Sequence, residues 1–249
     1  MRLLQFTDTH LTGSPGAVVR GVATAATFAR CLVHAQRRHP QPDGLLLTGD
    51  LVHDDPGGYP LLRGHFSSTV IPVYCLPGNH DSAAAMRREL AGPPFVHQLA
   101  NRCGDWLVLM LDSSVPGVHQ GHLSADELAR ADQALKSHPD SHALVCLHHH
   151  PVAHGSRWLD RYMLDNPGEL FALLERHPGV RGLLWGHAHQ PLDEARGTVR
   201  LMGTPSTCMQ FATGADEFLV DSRPPAYRWL QLASNGGLET GIEWVAGDD

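Results

Sequence analysis

Residues 183–191, LLWGHAHQP, combine a short apolar run with two histidines that lie one residue apart. The run from 180 to 185 is typical of a strand that is buried on both faces. In open α/β sheets, ligand sites lie in the turns that follow such strands. His187 and His189 each follow a small residue, which lets the backbone come close to a ligand. The pair therefore indicates a metal site, provided that partner ligands exist elsewhere in the chain.

Other short apolar runs end in polar or glycine-containing turns, at residues 3–6, 45–47, 71–76, 107–111 and 143–147. Helix-like stretches lie between the runs, at residues 22–38, 58–67, 82–90, 124–136 and 167–176. This alternation predicts βαβ units in the first two thirds of the chain. Short strand-like pieces follow His189 with no helix between them, around 199–202, 218–220, 227–232 and 241–245. They predict a second, mainly antiparallel sheet, within one α/β domain over residues 1–249.

Composition excludes several classes of function. The chain has 249 residues with 42% hydrophobic residues, enough for a substantial core, and its net charge of −7 argues against a nucleic-acid polymer as partner. The five cysteines form no C-x-x-C pair, which favours neither a disulfide framework nor a thiolate zinc cluster, so we expect a reducing, cytoplasmic location. No apolar stretch approaches the ~18 residues of a membrane span, so no membrane partner is expected.

Five strand ends carry side chains that bind metals. These side chains are Asp8 and His10; Asp50; Asn79, His80 and Asp81; His148, His149 and His150; and His187 and His189. Each group alone is compatible with an ordinary turn or cap, but their joint occurrence at the carboxyl ends of strands predicts one shared cleft. Oxygen and imidazole ligands without thiolates suit iron or manganese, with zinc as an alternative. Even seven of these side chains would be too many ligands for one ion, and seven would fit two divalent or transition-metal ions that share a bridging carboxylate.

The motifs D-x-H, G-D, G-N-H-D, H-H-x-P and G-H-x-H, in this order, resemble those of the calcineurin-like metallophosphoesterases. The loops HHHPVAHGSRWLDRYMLDNPGEL and GTPSTCMQF are similar to those of the bacterial class III 3′,5′-cyclic-AMP phosphodiesterases. The resemblance covers nearly the whole chain. It implies an α/β sandwich of two sheets flanked by helices, in a single domain.

The resemblance also implies which residues hold the metals. The first ion would be bound by Asp8, His10 and His189, and the second by Asn79, His149 and His187. Asp50 would bridge both ions. His149 is chosen because the family's ligand lies two residues before the proline, which leaves His148 as a packing or hydrogen-bonding residue. Purple acid phosphatases have a metal-binding tyrosine three residues after the bridging aspartate, where this chain has His53.

The implied activity is the hydrolysis of 3′,5′-cyclic AMP to 5′-AMP by a hydroxide that bridges the two ions. His80 would protonate the leaving alkoxide, oriented by Asp81. The predicted substrate-binding residues are His10, Asp50, Asn79, His80 and His189. We interpret Trp158 and Phe211 as core residues rather than as a platform for the base.

Two alternatives remain open. The same metals could serve a broad phosphodiesterase that acts on 2′,3′-cyclic nucleotides or glycerophosphodiesters, because ligands determine the reaction type and loops determine the substrate. The fold could also serve as a non-catalytic scaffold, in which the ligands would be expected to have decayed. The sequence does not determine the oligomeric state.

Overall fold

The computed structural model describes residues 1–247. Its strands are β1 (Arg2–Phe6), β2 (Gly44–Thr48), β3 (Val73–Leu76), β4 (Phe95–Val96), β5 (Ala100–Cys103), β6 (Trp106–Met110), β7 (His142–Cys146), β8 (Val180–Trp185), β9 (Leu192–Arg196), β10 (Val199–Gly203), β11 (Gln210–Phe211), β12 (Val220–Asp221), β13 (Ala226–Leu232) and β14 (Leu238–Trp244). Its α-helices are α1 (Thr24–Arg38), α2 (Gly58–His65), α3 (Ala83–Glu89), α4 (Ala125–Ser137) and α5 (Pro167–Glu175). A 3₁₀ turn spans Asp160–Tyr162.

Two six-stranded sheets form the body of the molecule. The first has the order β14-β13-β1-β2-β3-β4, and the second has the order β5-β6-β7-β8-β10-β9. Strands β1, β2 and β3 are parallel to one another, as are β6, β7, β8 and β10. Each sheet therefore presents several carboxyl ends at one edge. The two-sheet α/β sandwich that the family resemblance implies is confirmed.

Three apolar layers hold the sheets and helices together. One layer packs α1, α2 and α3 on the outer face of the first sheet, around Phe28 and Leu62. A second packs α4 and α5 on the outer face of the other sheet. The third lies between the sheets and joins Leu46 and Leu230 of the first to Val108 and Leu184 of the second. The continuous burial of β2 and β6 follows, because both faces of these strands are covered.

The helices follow from local sequence. In α1 the buried residues recur at spacings of three and four, which gives the helix one apolar face; they are Thr24, Thr27, Phe28, Cys31 and Ala35. Helix α4 begins after Ser124, whose hydroxyl accepts a hydrogen bond from the Glu127 backbone N–H at 3.1 Å.

The prediction of a separate, mainly antiparallel C-terminal sheet is wrong. Strand β10 extends the second sheet in parallel with β8, and β13 pairs antiparallel with β1 in the first sheet. The C-terminal hairpin β13–β14 thereby completes the edge of the N-terminal sheet. Local patterns identify strands, but they do not indicate that β13 pairs with a strand more than two hundred residues away. Within residues 1–247, no helix is both long and apolar enough to cross a membrane.

Candidate metal centre and active site

The turns that follow five parallel strands meet where the carboxyl edges of the two sheets adjoin. The Gln5 side chain of the first sheet donates a hydrogen bond to the Trp185 carbonyl of the second at 3.3 Å. Gly186 comes so close to Thr7 and Asp8 that a Cβ atom would collide with the Thr7 hydroxyl. The Gly49 position is equally tight against the His148 imidazole. Glycine at these two places lets turns from different sheets approach closely enough to share a site.

Left-handed backbone is concentrated in these turns. Five of the seven predicted ligands have positive φ angles between 44° and 60°: Asp8, His10, Asp50, His187 and His189. For residues other than glycine this conformation is uncommon and persists only where the surrounding structure enforces it. Four of these five residues line the cleft, namely His10, Asp50, His187 and His189, which is typical of a functional site.

Asp8, His10 and His189 form the first cluster, and each offers one ligand atom within 4.8 Å of the others. The His189 Nε2 atom lies 3.2 Å from Asp8 Oδ1 and 3.4 Å from His10 Nε2. His189 donates its Nδ1 proton to the Met209 carbonyl at 2.7 Å, which leaves the Nε2 lone pair free. A backbone carbonyl on the far nitrogen is the usual way to orient a metal-binding imidazole.

The second cluster contains His149 and His187, each of which offers one ligand atom within 4.8 Å of the other and of His148. Asn79 lines the same cavity as His187. Three of their atoms are buried and have no hydrogen-bond partner among residues 1–247: Asn79 Oδ1, His149 Nε2 and His187 Nε2. The far nitrogen of His149 lies 2.8 Å from the Ser113 hydroxyl, and that of His187 lies 3.2 Å from His148. Buried polar atoms are costly without a partner, so these three atoms are suited to bind a cation.

Burial also sets the charge state of the imidazoles. It lowers the pKa of His10, His149 and His187 well below the ordinary value, so all three rings are neutral at pH 7. A neutral imidazole has the lone pair that a metal ion requires.

Asp50 is grouped with Asp8 of the first cluster and with His148, and the ligand atoms of these three residues lie within 4.8 Å of one another. Its Oδ2 atom is 3.7 Å from His10 Nε2 and 3.4 Å from His148 Nε2. Burial by itself raises the pKa of Asp50, but the charge and hydrogen bond of His148 outweigh burial and hold the pKa well below its ordinary value. Burial likewise lowers the pKa of His148, but Asp50 outweighs that effect and raises the pKa to about 9. Asp50 is therefore an anion that adjoins His10 of the first cluster and His148, whose Nε2 atom lies 3.2 Å from His187 Nδ1 of the second cluster.

His80 lies beside Asp50, since its backbone N–H donates to Asp50 Oδ1 at 2.9 Å. The His80 Nδ1 atom is 2.9 Å from Asp54 Oδ2. The prediction that Asp81 orients His80 is wrong. The Asp81 carboxylate instead accepts hydrogen bonds from Tyr59 and three backbone N–H groups, those of Leu51, Val52 and Gly78. Asp81 thus ties the Asp50 turn to the Asn79 turn, and Asp54 orients His80.

A cavity of about 380 Å³ opens over the clusters. The five predicted substrate-binding residues, His10, Asp50, Asn79, His80 and His189, all line it. Sequence reasoning missed two further histidines there. His53 lies 3.1 Å from His10 Nδ1, and His119 lies 3.1 Å from Asn79 Nδ2. His53 follows the G-D turn closely enough to be inferred from spacing, but His119 comes from a loop without a strand-end motif.

Residues 1–191 match the family model described as calcineurin-like phosphoesterase. The chain therefore belongs to the calcineurin-like phosphoesterase family. It is 41% identical over 244 residues to the 3′,5′-cyclic adenosine monophosphate phosphodiesterase CpdA of Pseudomonas aeruginosa, an alignment that covers 98% of this chain and 89% of that protein. It is 37% identical to the 3′,5′-cyclic-nucleotide phosphodiesterase alr5338 of Nostoc sp., over 98% of this chain and 92% of the relative.

Solved structures share the fold. A dimetal phosphatase from Danio rerio superposes with a TM-score of 0.68 at 12% identity, covering 98% of this chain and 99% of the other. At that identity the likeness concerns architecture alone. It places the two-sheet sandwich among known metallophosphatase folds.

Proposed function

We propose that the protein hydrolyses 3′,5′-cyclic AMP to 5′-AMP with two transition-metal ions, iron or manganese. The proposal depends on one observation, which is that three buried atoms have no hydrogen-bond partner within residues 1–247, in addition to the Asp8–His10–His189 cluster. The three atoms are Asn79 Oδ1, His149 Nε2 and His187 Nε2. Relatives that match the chain over nearly its full length are named as phosphodiesterases of cyclic nucleotides, which supports this substrate class.

The donor set fits two ions. Asp8, His10 and His189 would hold the first, Asn79, His149 and His187 would hold the second, and Asp50 would contact both. Every donor is oxygen or imidazole nitrogen, which suits iron, manganese or zinc. When bound, the ions would supply Lewis-acid charge to the phosphate and acidify the attacking water. Asn79 contributes no charge, which leaves positive charge available for an anionic substrate.

His80 is the proposed proton donor. Asp54 accepts the Nδ1 proton at 2.9 Å, so Nε2 can donate toward substrate in the cavity only in the imidazolium form, in which both ring nitrogens carry a proton. In the proposed reaction a water that has released one proton to solvent bonds to phosphorus through its oxygen, and the bond from phosphorus to the 3′ oxygen breaks. His80 gives that 3′ oxygen a proton and is protonated again from solvent. His148 is a positioning residue, because it contacts Asp50 and His187 and is fully buried.

The scaffold alternative is disfavoured because all seven predicted ligands are present and converge. The choice between cyclic nucleotides and other phosphodiesters depends on the loops around the cavity.

The test is hydrolysis of 3′,5′-cyclic AMP in ¹⁸O-labelled water by the manganese-loaded protein. We expect 5′-AMP with the label on phosphate, and loss of turnover after chelation that manganese restores. A 3′-AMP product would contradict the proposed leaving group. A glycerophosphodiester with a kcat/KM more than about tenfold higher, a difference of about 1.4 kcal/mol, would favour the broad phosphodiesterase.

A further inference from the structure

Three aromatic side chains form one wall of the cavity, and the mechanism uses none of them. They are Trp158, Phe211 and Phe218, here called the aromatic wall. Their ring centroids are 5.1 Å apart for Trp158 and Phe211, 5.2 Å for Trp158 and Phe218, and 5.4 Å for Phe211 and Phe218. All three pairs meet edge to face, with interplanar angles of 67° to 77°, so the ring faces point in different directions. The core role that the sequence suggested for Trp158 and Phe211 is therefore incomplete.

The aromatic wall is continuous with the candidate metal centre. Phe211 stacks on His189 with a centroid distance of 4.0 Å and an interplanar angle of 10°. His10 lies between the two ends of the cleft, with its ring 5.4 Å from His189 and 5.1 Å from His80. The wall thus adjoins the His189 side of His10, and the proposed proton donor His80 adjoins the other side.

Two members of the aromatic wall offer contacts to a ligand: Phe218 an exposed ring and Trp158 an indole N–H group. The Phe218 side chain is 41% exposed, and the cavity that it lines also contains many polar groups. The buried indole N–H of Trp158 has no hydrogen-bond partner in the part of the chain that the structure describes. The Arg20 guanidinium lies 4.6 Å from the Phe218 ring centroid and also lines the cavity. An exposed aromatic face beside a cation, next to a phosphate-binding centre, is suited to a flat, π-rich ligand that carries phosphate.

We propose that the aromatic wall binds the nucleobase of the substrate by stacking and so selects nucleotides over aliphatic phosphodiesters. This inference rests on the proposed function and adds the orientation of the substrate. The base lies at the His189 end, the phosphate lies over His10, and the leaving oxygen faces His80. Stacking on ring faces reads the shape of a base more than its edge, because every base has a π-face. We therefore expect a preference for nucleotides with little distinction between adenine and guanine.

The test compares the affinities of 5′-AMP, ribose 5-phosphate and inorganic phosphate for the manganese-loaded protein by calorimetry. We expect 5′-AMP to bind at least about tenfold more tightly than ribose 5-phosphate, which lacks only the base. The variant Phe218→Ala should weaken 5′-AMP binding about tenfold and change ribose 5-phosphate binding less than twofold. The matched control is Leu219→Ala, which removes an adjacent apolar side chain that is 57% exposed, and it should leave both affinities unchanged.

Two results would overturn the inference. One is equal binding of 5′-AMP and ribose 5-phosphate, and the other is an equal loss of both in Phe218→Ala. These binding measurements are independent of turnover. A preference for 5′-AMP that disappears in Phe218→Ala supports base binding by the aromatic wall even if cyclic AMP is not hydrolysed. Hydrolysis of cyclic AMP without that preference would contradict base binding by the wall but not the proposed activity.

Discussion

The two ligand clusters of the site differ in charge and in how far the protein itself satisfies them. In the first, Asp8 brings a carboxylate whose oxygen lies 3.2 Å from His189 Nε2. The second consists of an amide and two imidazoles, with three buried atoms that lack partners within residues 1–247. A cation in the second cluster would depend on Asp50 for its only carboxylate among these ligands. The two proposed metal sites would therefore be unequal and would share one anion, Asp50.

The clusters also differ in how their imidazoles are oriented. His189 is fixed by a main-chain carbonyl, that of Met209, at 2.7 Å. His149 is fixed by a side chain, the Ser113 hydroxyl, at 2.8 Å. A single substitution can remove the second support but not the first. The following experiments exploit these differences.

Asp50→Ala should have the largest effect, because it removes the ligand that the two clusters share. We expect loss of both ions and a fall in kcat/KM of at least about 10⁴-fold, since several kcal/mol of Lewis-acid stabilisation is lost. Metal analysis after dialysis, together with steady-state kinetics, checks this. Asp165→Ala, which removes a partially exposed carboxylate from an ion pair with His122, is the control. Retention of one ion in Asp50→Ala would mean that the bridge is assigned wrongly.

His80→Ala should separate proton transfer from metal binding. Both ions should remain, while turnover of cyclic AMP falls by about 10²–10⁴-fold, the usual contribution of a general acid. A nitrophenyl phosphodiester should lose much less, because its leaving group needs no proton. Metal content and kcat for the two substrates are the measurements. Equal losses for both substrates would indicate that His80 positions phosphate instead.

Asp54→Asn should have a smaller effect on the same step. The change keeps the shape of the residue but weakens the hold on His80 Nδ1, and a misplaced donor costs about 10²-fold in kcat. Asp165→Asn alters a similar exposed pair, in which His122 Nδ1 lies 2.7 Å from the carboxylate. It should leave kcat unchanged. An unchanged kcat and pH profile in Asp54→Asn would remove Asp54 from the mechanism.

The convergence of the strand-end side chains could be predicted because each belongs to a short local motif, and parallel strands bring such ends together. The partner of His80 could not. Asp81 is adjacent in sequence, but its carboxylate is occupied by the backbone N–H groups of Leu51, Val52 and Gly78. Asp54 reaches His80 because its own backbone is left-handed, with a φ angle of 55°, and no sequence pattern predicts this conformation.

Contacts between residues that are far apart in the chain could not be predicted either, because local sequence patterns do not indicate them. Phe211 looks like an ordinary apolar residue, and only its stacking on His189 at 4.0 Å reveals that it adjoins the site. The pairing of β13 with β1 is another case, since it joins Leu230 to Leu3 across most of the chain. Local patterns give elements and ligands, whereas neighbours across sheets require the fold.

The inequality of the clusters predicts two metal affinities. Titration of the metal-stripped protein with manganese should show two steps, with the second ion bound about ten- to a hundredfold more weakly, because its cluster lacks its own carboxylate. In Asn79→Asp, which adds a carboxylate there, the two steps should move closer together. Calorimetry measures both. A single step of two ions in the unaltered protein would contradict the asymmetry.

Ser113→Ala should give the smallest effect and the most selective one. The Ser113 hydroxyl lies 2.8 Å from His149 Nδ1, and Ser113 is fully buried. Its loss lets the His149 imidazole rotate but removes none of the proposed ligand residues. Loss of such an orienting group lowers metal affinity by about tenfold or somewhat more. The weaker manganese step should therefore shift and the tighter step should stay, because His189 is held by the Met209 carbonyl, which the substitution does not touch. Ser114→Ala is the matched control, since its hydroxyl bonds Asp112 instead. If both steps shifted in Ser113→Ala, the two clusters would be coupled through more than Asp50, and the separation between them would fail.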